Sequence, residues 1–297
     1  MKICIFGGNG FIGSNIAYKY IRKGHSVYIY SQTRINKKVE FKNNKKIKYN
    51  EKNFSSILKK KFDMIFFFSG NSNQETSKND IYYDLKTTFD SYVQLLESAK
   101  KNKIKCPIWF ASSVVVYGIN SKPLKENFNL NPVSFYAVTK TICETISKFY
   151  ANNHNLNIGI MRIFSTFGPG LKRQVVYDTI KKIKTKKNFK VIGSGNEKRD
   201  FGYIDDQVKS IVLLTNKVKK PKGDTFNIAS GKVFTIKTMI NKLIKISGKK
   251  VIPKYTNKRR SFDTKFFIAD KNKLKKIIGH FKNTDFDLAL RKTYKSC

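Results

Sequence analysis

Acidic residues are scarce in this chain of 297 residues, where 20 Asp and Glu stand against 60 Lys and Arg and the formal net charge is +40. Long hydrophobic runs are also absent: the apolar run 64–68 is far too short to cross a bilayer. Residues 3–6 lead directly into glycines, so the start of the chain does not resemble a secretory signal. These absences predict a protein with no membrane partner.

Cysteine is rare as well. The chain has four cysteines, Cys4, Cys106, Cys143 and Cys297, and no two of them form a CxxC pair. This spacing excludes a disulfide framework and a cysteine-based zinc site, and no other metal ligand set is visible. We therefore expect a reducing compartment and a cytoplasmic protein.

The strong positive charge first suggests nucleic acid, because Lys and Arg neutralise phosphates. The positive residues are mostly lysine, however, and they are spread along the whole chain without an arginine-rich tail, zinc-finger or RNP pattern. We interpret them as solvated lysines and predict no specific nucleic-acid partner. A non-catalytic dinucleotide-binding or RNA-binding protein stays a distant alternative. The field would favour an anionic substrate.

Hydrophobic residues make up 40% of the chain, enough for a globular core at this length. Short apolar runs alternate with amphipathic segments, which predicts a parallel sheet with helices on both faces. The predicted strands are 2–6, 26–31, 46–49, 63–69, 108–112 and 157–164. The predicted helices are 14–23, 81–101, 134–152, 205–216 and 235–246. The fold class is therefore α/β, a doubly wound (Rossmann) parallel sheet with a smaller mixed α/β C-terminal lobe.

The alternating pattern ends near residue 164, where Gly168-Pro169-Gly170 interrupts the chain. We predict a dinucleotide-binding domain over 1–164, to which 205–230 return, and a mainly substrate-binding lobe over 165–297. The second segment is too short for another doubly wound domain.

Glycines 7, 10 and 13 lie between the first predicted strand and the first helix. Glycine allows a tight turn and close approach of the backbone to a pyrophosphate, and the helix N-terminus offers free N–H groups to it. This context predicts a dinucleotide site, in which Gly7, Gly10, Phe11, Ile12 and Gly13 bind the cofactor.

The end of the second strand indicates which dinucleotide is used. A carboxylate there usually holds the ribose of NAD, but this chain has Ser31, followed by Arg34. A hydroxyl and a guanidinium can accept a 2′-phosphate, so NADP(H) is favoured and NAD(H) stays open. Asn50, Ser69 and Gly70, at the ends of the next two strands, complete this predicted part of the cofactor site.

Tyr136 and Lys140 are four residues apart on a predicted helix and therefore lie on one face. Ser113 ends a strand at the edge where doubly wound sheets bind ligands. Free tyrosine has a pKa near 10, and a nearby ammonium favours the phenolate. We predict that Tyr136 transfers the proton, Ser113 orients the substrate oxygen and Lys140 assists. Tyr136 and Lys140 would also contact the cofactor, and Ser113 and Tyr136 the substrate.

These motifs resemble the extended short-chain dehydrogenases that act on nucleotide sugars, such as UDP-galactose 4-epimerase, over essentially the whole chain. GGNGFIG resembles the family's cofactor loop, and ASSVVVYG and SFYAVTK its catalytic segments. RIFSTFGPG is similar to RxFNxYGP, which implies that Phe164 lies near the nicotinamide and Ser165 near the substrate. The resemblance also implies substrate binding by Arg199, in GSGNEKRDFGYIDD, and by Arg260, three residues before Asp263. A homodimer through helices 81–101 and 134–152 is implied too.

The chain departs from the family pattern at several positions. Ser165 replaces an asparagine, and residues 88–92 stand where the family has NxxGT. Before the VYG of the serine loop there is no Asp-Glu pair of the 4,6-dehydratases, nor the glutamate of the decarboxylases. Val114 and Val115 cannot do acid–base work, so elimination and decarboxylation are disfavoured.

With elimination and decarboxylation disfavoured, the reaction type that remains is redox chemistry at C4 of the sugar in a sugar nucleotide. The absence of a ribose carboxylate favours an NAD(P)H-dependent reductase of a 4-keto-6-deoxy NDP-sugar. The alternative is an NDP-sugar 4-epimerase that retains NAD tightly. The residues identify neither the nucleotide nor the sugar.

Overall fold

The computed structural model describes residues 1–32, 43–258 and 266–297. Two compact units are present, each assembled from three segments. The first contains 1–116, 132–162 and 212–226, and the second contains 117–131, 163–211 and 227–297. Compared with the predicted domains, the second unit also takes in residues 117–131, 163–164, 205–211 and 227–230.

The first unit is built on a parallel sheet, which confirms the predicted fold class. Its strands are β1 Lys2–Phe6, β2 Ser26–Ser31, β3 Asn44–Lys46, β4 Met64–Phe67, β5 Ile108–Ser113, β6 Ile158–Ile163 and β11 Lys222–Ile228. The strand order in the described sheet is β11-β6-β5-β4-β1-β2-β3. Strand β1 pairs in parallel with β2 on one side and with β4 on the other.

The helices of the first unit follow the strands, as a βα alternation requires. They are α1 Phe11–Ile21, α2 Glu51–Leu58, α3 Gln74–Asn79, α4 Ile81–Asp84, α5 Ser91–Lys101 and α6 Phe135–His154. Helix α8, Ile204–Lys217, enters this unit at residue 212. The predicted helix 81–101 contains a π-helical turn, Leu85–Asp90. Helices α2 and α3 were not predicted because they are short and largely polar.

An aromatic cluster fills one side of this sheet. The strand residues Phe6, Phe67 and Phe110 and the helix residues Phe54 and Tyr92 are all fully buried. The rings of Tyr92 and Phe110 lie 4.4 Å apart, and those of Phe6 and Phe54 lie 5.0 Å apart. Such pairs add to the hydrophobic gain from burial, so they hold α2 and α5 on the strands.

The second unit is a mixture of short strands and helices, as predicted for the C-terminal lobe. Its strands are β7 Thr166–Phe167, β8 Asn188–Val191, β9 Lys198–Asp200, β10 Gly202–Tyr203, β12 Val233–Thr235, β13 Ile252–Tyr255 and β14 Phe266–Phe267. Among the described residues they form small sheets with the orders β10-β7, β12-β9-β14 and β13-β8. Its remaining helices are α7 Gln174–Thr185, α9 Ile236–Ser247, α10 Asn272–Ile278 and α11 Phe286–Ser296.

Among the described residues, none of the helices has both the length and the apolar character needed to traverse a bilayer.

Candidate active site

The glycine loop between β1 and α1 is packed too tightly for side chains. Gly7 has a φ of +80°, and a Cβ added there would lie 2.7 Å from the backbone at Phe68 and Ser69. A Cβ on Gly13 would lie 2.6 Å from the carbonyl oxygen of Gly7. Glycine is therefore required at both ends of the loop, which keeps the start of α1 close to the ends of β1 and β4.

Helix α1 begins at Phe11, three residues earlier than predicted, with Gly10 as its N-cap. The N–H of Ser14 donates to the carbonyl oxygen of Gly10 at 2.9 Å and begins the hydrogen bonding within the helix. The N–H groups of Phe11, Ile12 and Gly13 come before it and have no partner within the helix. No acidic residue lies in the first turn. The helix end therefore presents donors and a positive dipole end, a good environment for a pyrophosphate.

The ends of the neighbouring strands lie beside this loop. Ser31 ends β2 and is 2% exposed, and its Oγ has no hydrogen-bond partner among the described residues. A buried hydroxyl without a partner is costly, which indicates that a bound group completes it. Asn50 caps α2 by accepting from Asn53 N at 2.8 Å. The Tyr49 hydroxyl donates to Tyr30 O at 2.9 Å and interacts with Ser69, so these strand ends are linked.

The loop after β4 is shaped by Thr88. Gly70 has a φ of +112°, and a Cβ there would lie 2.5 Å from Thr88 Oγ1. The backbone N–H of Asn71 donates to the same oxygen at 2.9 Å. Taken together, the cradle that Cβ atoms would fill, the free helix end and the unpaired Ser31 hydroxyl fit a dinucleotide.

The predicted catalytic residues Ser113, Tyr136 and Lys140 come from β5 and α6 of the first unit. Ser113 is the last residue of β5 and is half-buried. Ser134 caps α6 by accepting from Ala137 N at 3.3 Å, which places Tyr136 in the first helical turn. Lys140 follows one turn later, and its ammonium lies 5.9 Å from the centre of the Tyr136 ring.

Lys140 is buried, with 4% of its surface exposed. Its Nζ donates to the carbonyl oxygen of Ala111 at 2.9 Å, and it lies 4.9 Å from the centre of the Phe110 ring. Burial lowers the pKa of the Lys140 ammonium, whereas nearby Cys143, Asp84 and Glu144 act in the opposite direction. The bond to Ala111 ties α6 to β5 two residues before Ser113.

Sequence reasoning missed a buried polar cluster that makes a second link between β5 and α6. Arg162 Nη2 lies 2.6 Å from Glu144 Oε2, and both side chains are 1% exposed. The hydroxyl of Ser112 donates to Glu144 Oε1. Glu144 is four residues after Lys140, and that spacing was the available signal, since both side chains share a helix face. The cluster fixes the strand end that carries Ser113.

The predicted residues Phe164, Ser165 and Arg199 belong to the second unit. Phe164 is 3% exposed, and its N–H donates to Ile228 O at 3.0 Å. Ser165 is half-buried, and its carbonyl oxygen accepts from Gly202 N at 2.8 Å. Arg199 is 8% exposed, with its guanidinium 4.9 Å from the Phe267 ring, so it is not a solvated surface charge.

Two predicted residues, Arg34 and Arg260, lie outside the described residues. The role of Arg34 at the cofactor and that of Arg260 at the substrate stay predictions.

Comparison with known proteins identifies the family of the chain. The model of the NAD dependent epimerase/dehydratase family matches residues 3–229. Because the match covers most of the chain, the protein belongs to this family, and the predicted resemblance is confirmed.

The similar proteins include several sugar-nucleotide epimerases. An uncharacterized UDP-glucose epimerase of Bacillus subtilis, YtcB, is 28% identical, covering 87% of this chain and 86% of the relative. A UDP-glucuronate 4-epimerase of Thermodesulfobacterium geofontis is 31% identical, covering 72% of this chain and 65% of its own. The structure of a UDP-glucuronic acid 4-epimerase from Bacillus cereus, with UDP-glucuronic acid and NAD, matches with a TM-score of 0.91 and 25% identity, covering 100% of this chain and 98% of that chain.

Proposed function

We propose that the protein is a UDP-sugar 4-epimerase that works with a tightly held NAD. The observation that carries the proposal is the placement of Tyr136 and Lys140 on α6, bound to the strand end that presents Ser113, in a chain whose relatives include UDP-sugar 4-epimerases. The comparisons favour this alternative over the 4-ketoreductase that the sequence favoured.

In this reaction, Tyr136 acts first as a base and then as an acid at one oxygen. Its phenolate takes the proton from the 4-hydroxyl of the sugar and later returns it to the same oxygen of the opposite epimer. Lys140 stabilises the negative charge of the Tyr136 oxygen, and Ser113 donates a hydrogen bond that orients the sugar oxygen. The bound NAD would take up and return the hydride.

The comparisons do not support the predicted preference for NADP(H), since the similar structures with a named cofactor contain NAD. Ser31 is neutral and buried, which suits a hydrogen bond to a ribose hydroxyl but offers no positive charge to a 2′-phosphate. We therefore propose NAD, held by the glycine loop, Ser31, Asn50, Ser69 and Gly70 of the first unit.

The direct test incubates the purified protein with UDP-glucuronate, UDP-glucose or UDP-N-acetylglucosamine, with no cofactor added. We expect one of them to be converted to its C4 epimer, seen as a new anomeric signal by NMR, and NAD to be released when the protein is denatured. Stoichiometric oxidation of NADPH in the presence of a 4-keto-6-deoxy sugar nucleotide, without epimerisation of any UDP-sugar, would instead establish the reductase.

We also retain the homodimer as a proposal. Helices α4 and α6 expose large hydrophobic side chains to solvent, as a self-association surface requires: Ile81, Tyr82, Tyr83, Ile142 and Phe149. Light scattering of the purified protein measures the mass in solution, and a monomer at all concentrations would exclude the dimer.

A further inference from the structure

The π-helical turn Leu85–Asp90 separates α4 from α5 in what the sequence predicts as one helix. Turns of this type are rare, and they occur frequently at functional sites. Asp84 stands immediately before the turn, and Thr88 lies inside it; both side chains are 0% exposed. A buried carboxylate has to obtain from the protein the hydrogen bonds that it would make with water. The partners of Asp84 therefore indicate which part of the molecule the turn supports.

Two hydroxyl groups connect Asp84 to one asparagine of the loop after β4. Ser77 Oγ donates to Asp84 Oδ2 at 2.5 Å, and Thr88 Oγ1 donates to Asp84 Oδ1 at 3.1 Å. Asn71 donates to both hydroxyls, from its Nδ2 to Ser77 Oγ at 2.8 Å and from its backbone N–H to Thr88 Oγ1 at 2.9 Å. These four residues form a closed ring of hydrogen bonds, the Asp84 ring, and none of them is more than 8% exposed.

The carboxylate sets the direction of the bonds in the Asp84 ring. A carboxylate only accepts hydrogen bonds, so both hydroxyls turn their hydrogens towards Asp84. Their lone pairs are then available to the two N–H groups of Asn71. An amide at position 84 would place an NH2 group against one of the two hydroxyls and open that arm of the ring. The ring therefore needs two acceptor oxygens at position 84.

Asn71 extends this order into the loop after β4. Its Oδ1 accepts from the N–H groups of Ser72 and Asn73, at 2.7 and 3.0 Å. Gly70, directly before Asn71, has a φ of +112° and packs so closely on Thr88 that a Cβ would lie 2.5 Å from Oγ1. The backbone of the loop is thus held on both sides of Asn71.

The same loop packs on the glycine loop that we propose as the site of NAD. A Cβ on Gly7 would lie 2.7 Å from Ser69 N and 2.7 Å from the carbonyl carbon of Phe68, so the two backbones touch. All of these residues belong to the first unit. A displacement of residues 69–71 would therefore disturb the cradle that the glycine loop forms.

We propose that Asp84 is a positioning residue of the dinucleotide site. Through Ser77, Thr88 and Asn71 it holds the loop after β4 against the glycine loop, and it thereby slows the release of the cofactor. This inference rests on the proposed function only in that NAD is the bound dinucleotide. Slow release suits an epimerase, because one NAD takes up and returns the hydride.

Asp84→Asn tests the ring, because it keeps the shape of the side chain and replaces one acceptor oxygen by a donor. We expect bound NAD to leave about tenfold faster, the effect of losing one hydrogen bond to a charged acceptor. The rate is measured on the purified protein with its NAD, by exchange against an excess of isotope-labelled NAD. Hydrogen exchange of residues 70–73, measured by mass spectrometry, should also become faster. Asp90→Asn, at an exposed aspartate of the same turn, is the matched control and should change neither rate.

Two substitutions of Thr88 separate hydrogen bonding from packing. Thr88→Val keeps the volume but loses the hydroxyl, so NAD should leave about tenfold faster. Thr88→Ser keeps the hydroxyl and loses a methyl group, and NAD should leave at nearly the unmodified rate. A residue that only fills space would show the opposite order, since the smaller serine leaves a cavity. Thr87→Val is the control, because the Thr87 hydroxyl donates to Tyr83 O, outside the ring.

The Thr88 variants decide the question if Asp84→Asn does not fold. Unchanged NAD release in Asp84→Asn or Thr88→Val, or faster release from Thr88→Ser than from Thr88→Val, overturns the inference. An equal acceleration in either control overturns it too. Epimerisation of a UDP-sugar together with unchanged release in the variants refutes the inference alone. Faster release from a protein that epimerises no UDP-sugar refutes the proposed reaction alone, and a protein that retains no dinucleotide overturns both.

Discussion

Lys140 illustrates at the residue scale how the protein keeps a cation inside its core. Burial removes nearly all of the hydration of the Lys140 ammonium. The Ala111 carbonyl, the face of Phe110 and the charge of Asp84 compensate for this lost hydration. Carbonyl, aromatic face and carboxylate each stabilise positive charge. The compensation explains why the lysine of a YxxxK pair can be buried beside its tyrosine.

Removal of the Tyr136 hydroxyl should abolish most of the activity. In Tyr136→Phe the ring remains, but the group that carries the proton is lost, so kcat should fall by roughly 100- to 10,000-fold. The measurement is epimerisation of the UDP-sugar substrate together with NAD content, which should stay normal. Tyr83→Phe, at an exposed tyrosine of α4, is the control. A near-normal kcat in Tyr136→Phe would disprove the assignment of the proton carrier.

A methyl group on Gly13 should loosen the cofactor site. The new Cβ would lie 2.6 Å from Gly7 O and 3.0 Å from Gly8 Cα, and backbone atoms cannot move aside cheaply. We expect Gly13→Ala to lose about 1–3 kcal/mol of unfolding free energy, as overpacked sites do, and to purify with less NAD. Denaturant unfolding and cofactor quantification measure the two effects. Ser14→Ala, one position later, should change neither, and a Gly13→Ala protein with full NAD content would contradict the prediction.

At the scale of elements, helix α6 connects the site to the sheet. It carries Tyr136 in its first turn, and the bonds of Lys140 and Glu144 fix it to β5. The buried ion pair of Glu144 and Arg162 also links α6 to β6. Such a pair contributes orientation more than net stability, since the desolvation of both charges offsets much of their attraction.

The N-cap of α6 should therefore matter to both stability and catalysis. Ser134→Ala removes the acceptor for Ala137 N, which should lower the free energy of unfolding by about 1 kcal/mol. The first turn of the helix, which holds Tyr136, should then fray. Urea unfolding gives the first effect and kcat the second, and Ser134→Asp, which caps equally well, should restore both. Thr141→Ala, on the same helix but away from its end, should change stability by less than about 0.5 kcal/mol. An unchanged kcat in Ser134→Ala would show that the turn holds without its cap.

At the scale of the whole molecule, the net charge of +40 should act on the rate of encounter with substrate. A positive surface attracts a dianionic UDP-sugar over a distance that salt shortens. We expect kcat/KM to fall several-fold between about 20 and about 200 mM NaCl, with little change in kcat. Choline chloride should act like NaCl, and sucrose should not. A kcat/KM that is independent of salt would mean that the charge has no steering role.

Because of the same charge, an RNA-binding protein is a distant alternative interpretation of the sequence. Family membership and the arrangement of Tyr136 and Lys140 favour an enzyme. Salt-sensitive retention of RNA by a protein that converts no sugar nucleotide would reverse this conclusion.

Much of the fold was predictable because its signals are local. The strands Lys2–Phe6 and Ser26–Ser31 are short apolar runs with the bounds that the sequence predicts. The third predicted strand, 46–49, was displaced: the structure has it at Asn44–Lys46, a polar stretch whose pairing with β2 depends on distant residues. The small sheets of the second unit were not predicted for the same reason, since strands of two or three residues have no pattern of their own.

The sequence by itself determined the class of the protein and its glycine loop, and it predicted Ser113, Tyr136 and Lys140 as the catalytic residues, because these depend on residue type and spacing along the chain. Only the tertiary structure showed that Lys140 is buried, that Glu144 on the same helix is paired with the buried Arg162, and that Ser31 lacks a partner among the described residues. The physical reason is that a charge acquires its effect from the neighbours that exclude water from it. Those neighbours come from elements far apart in the chain.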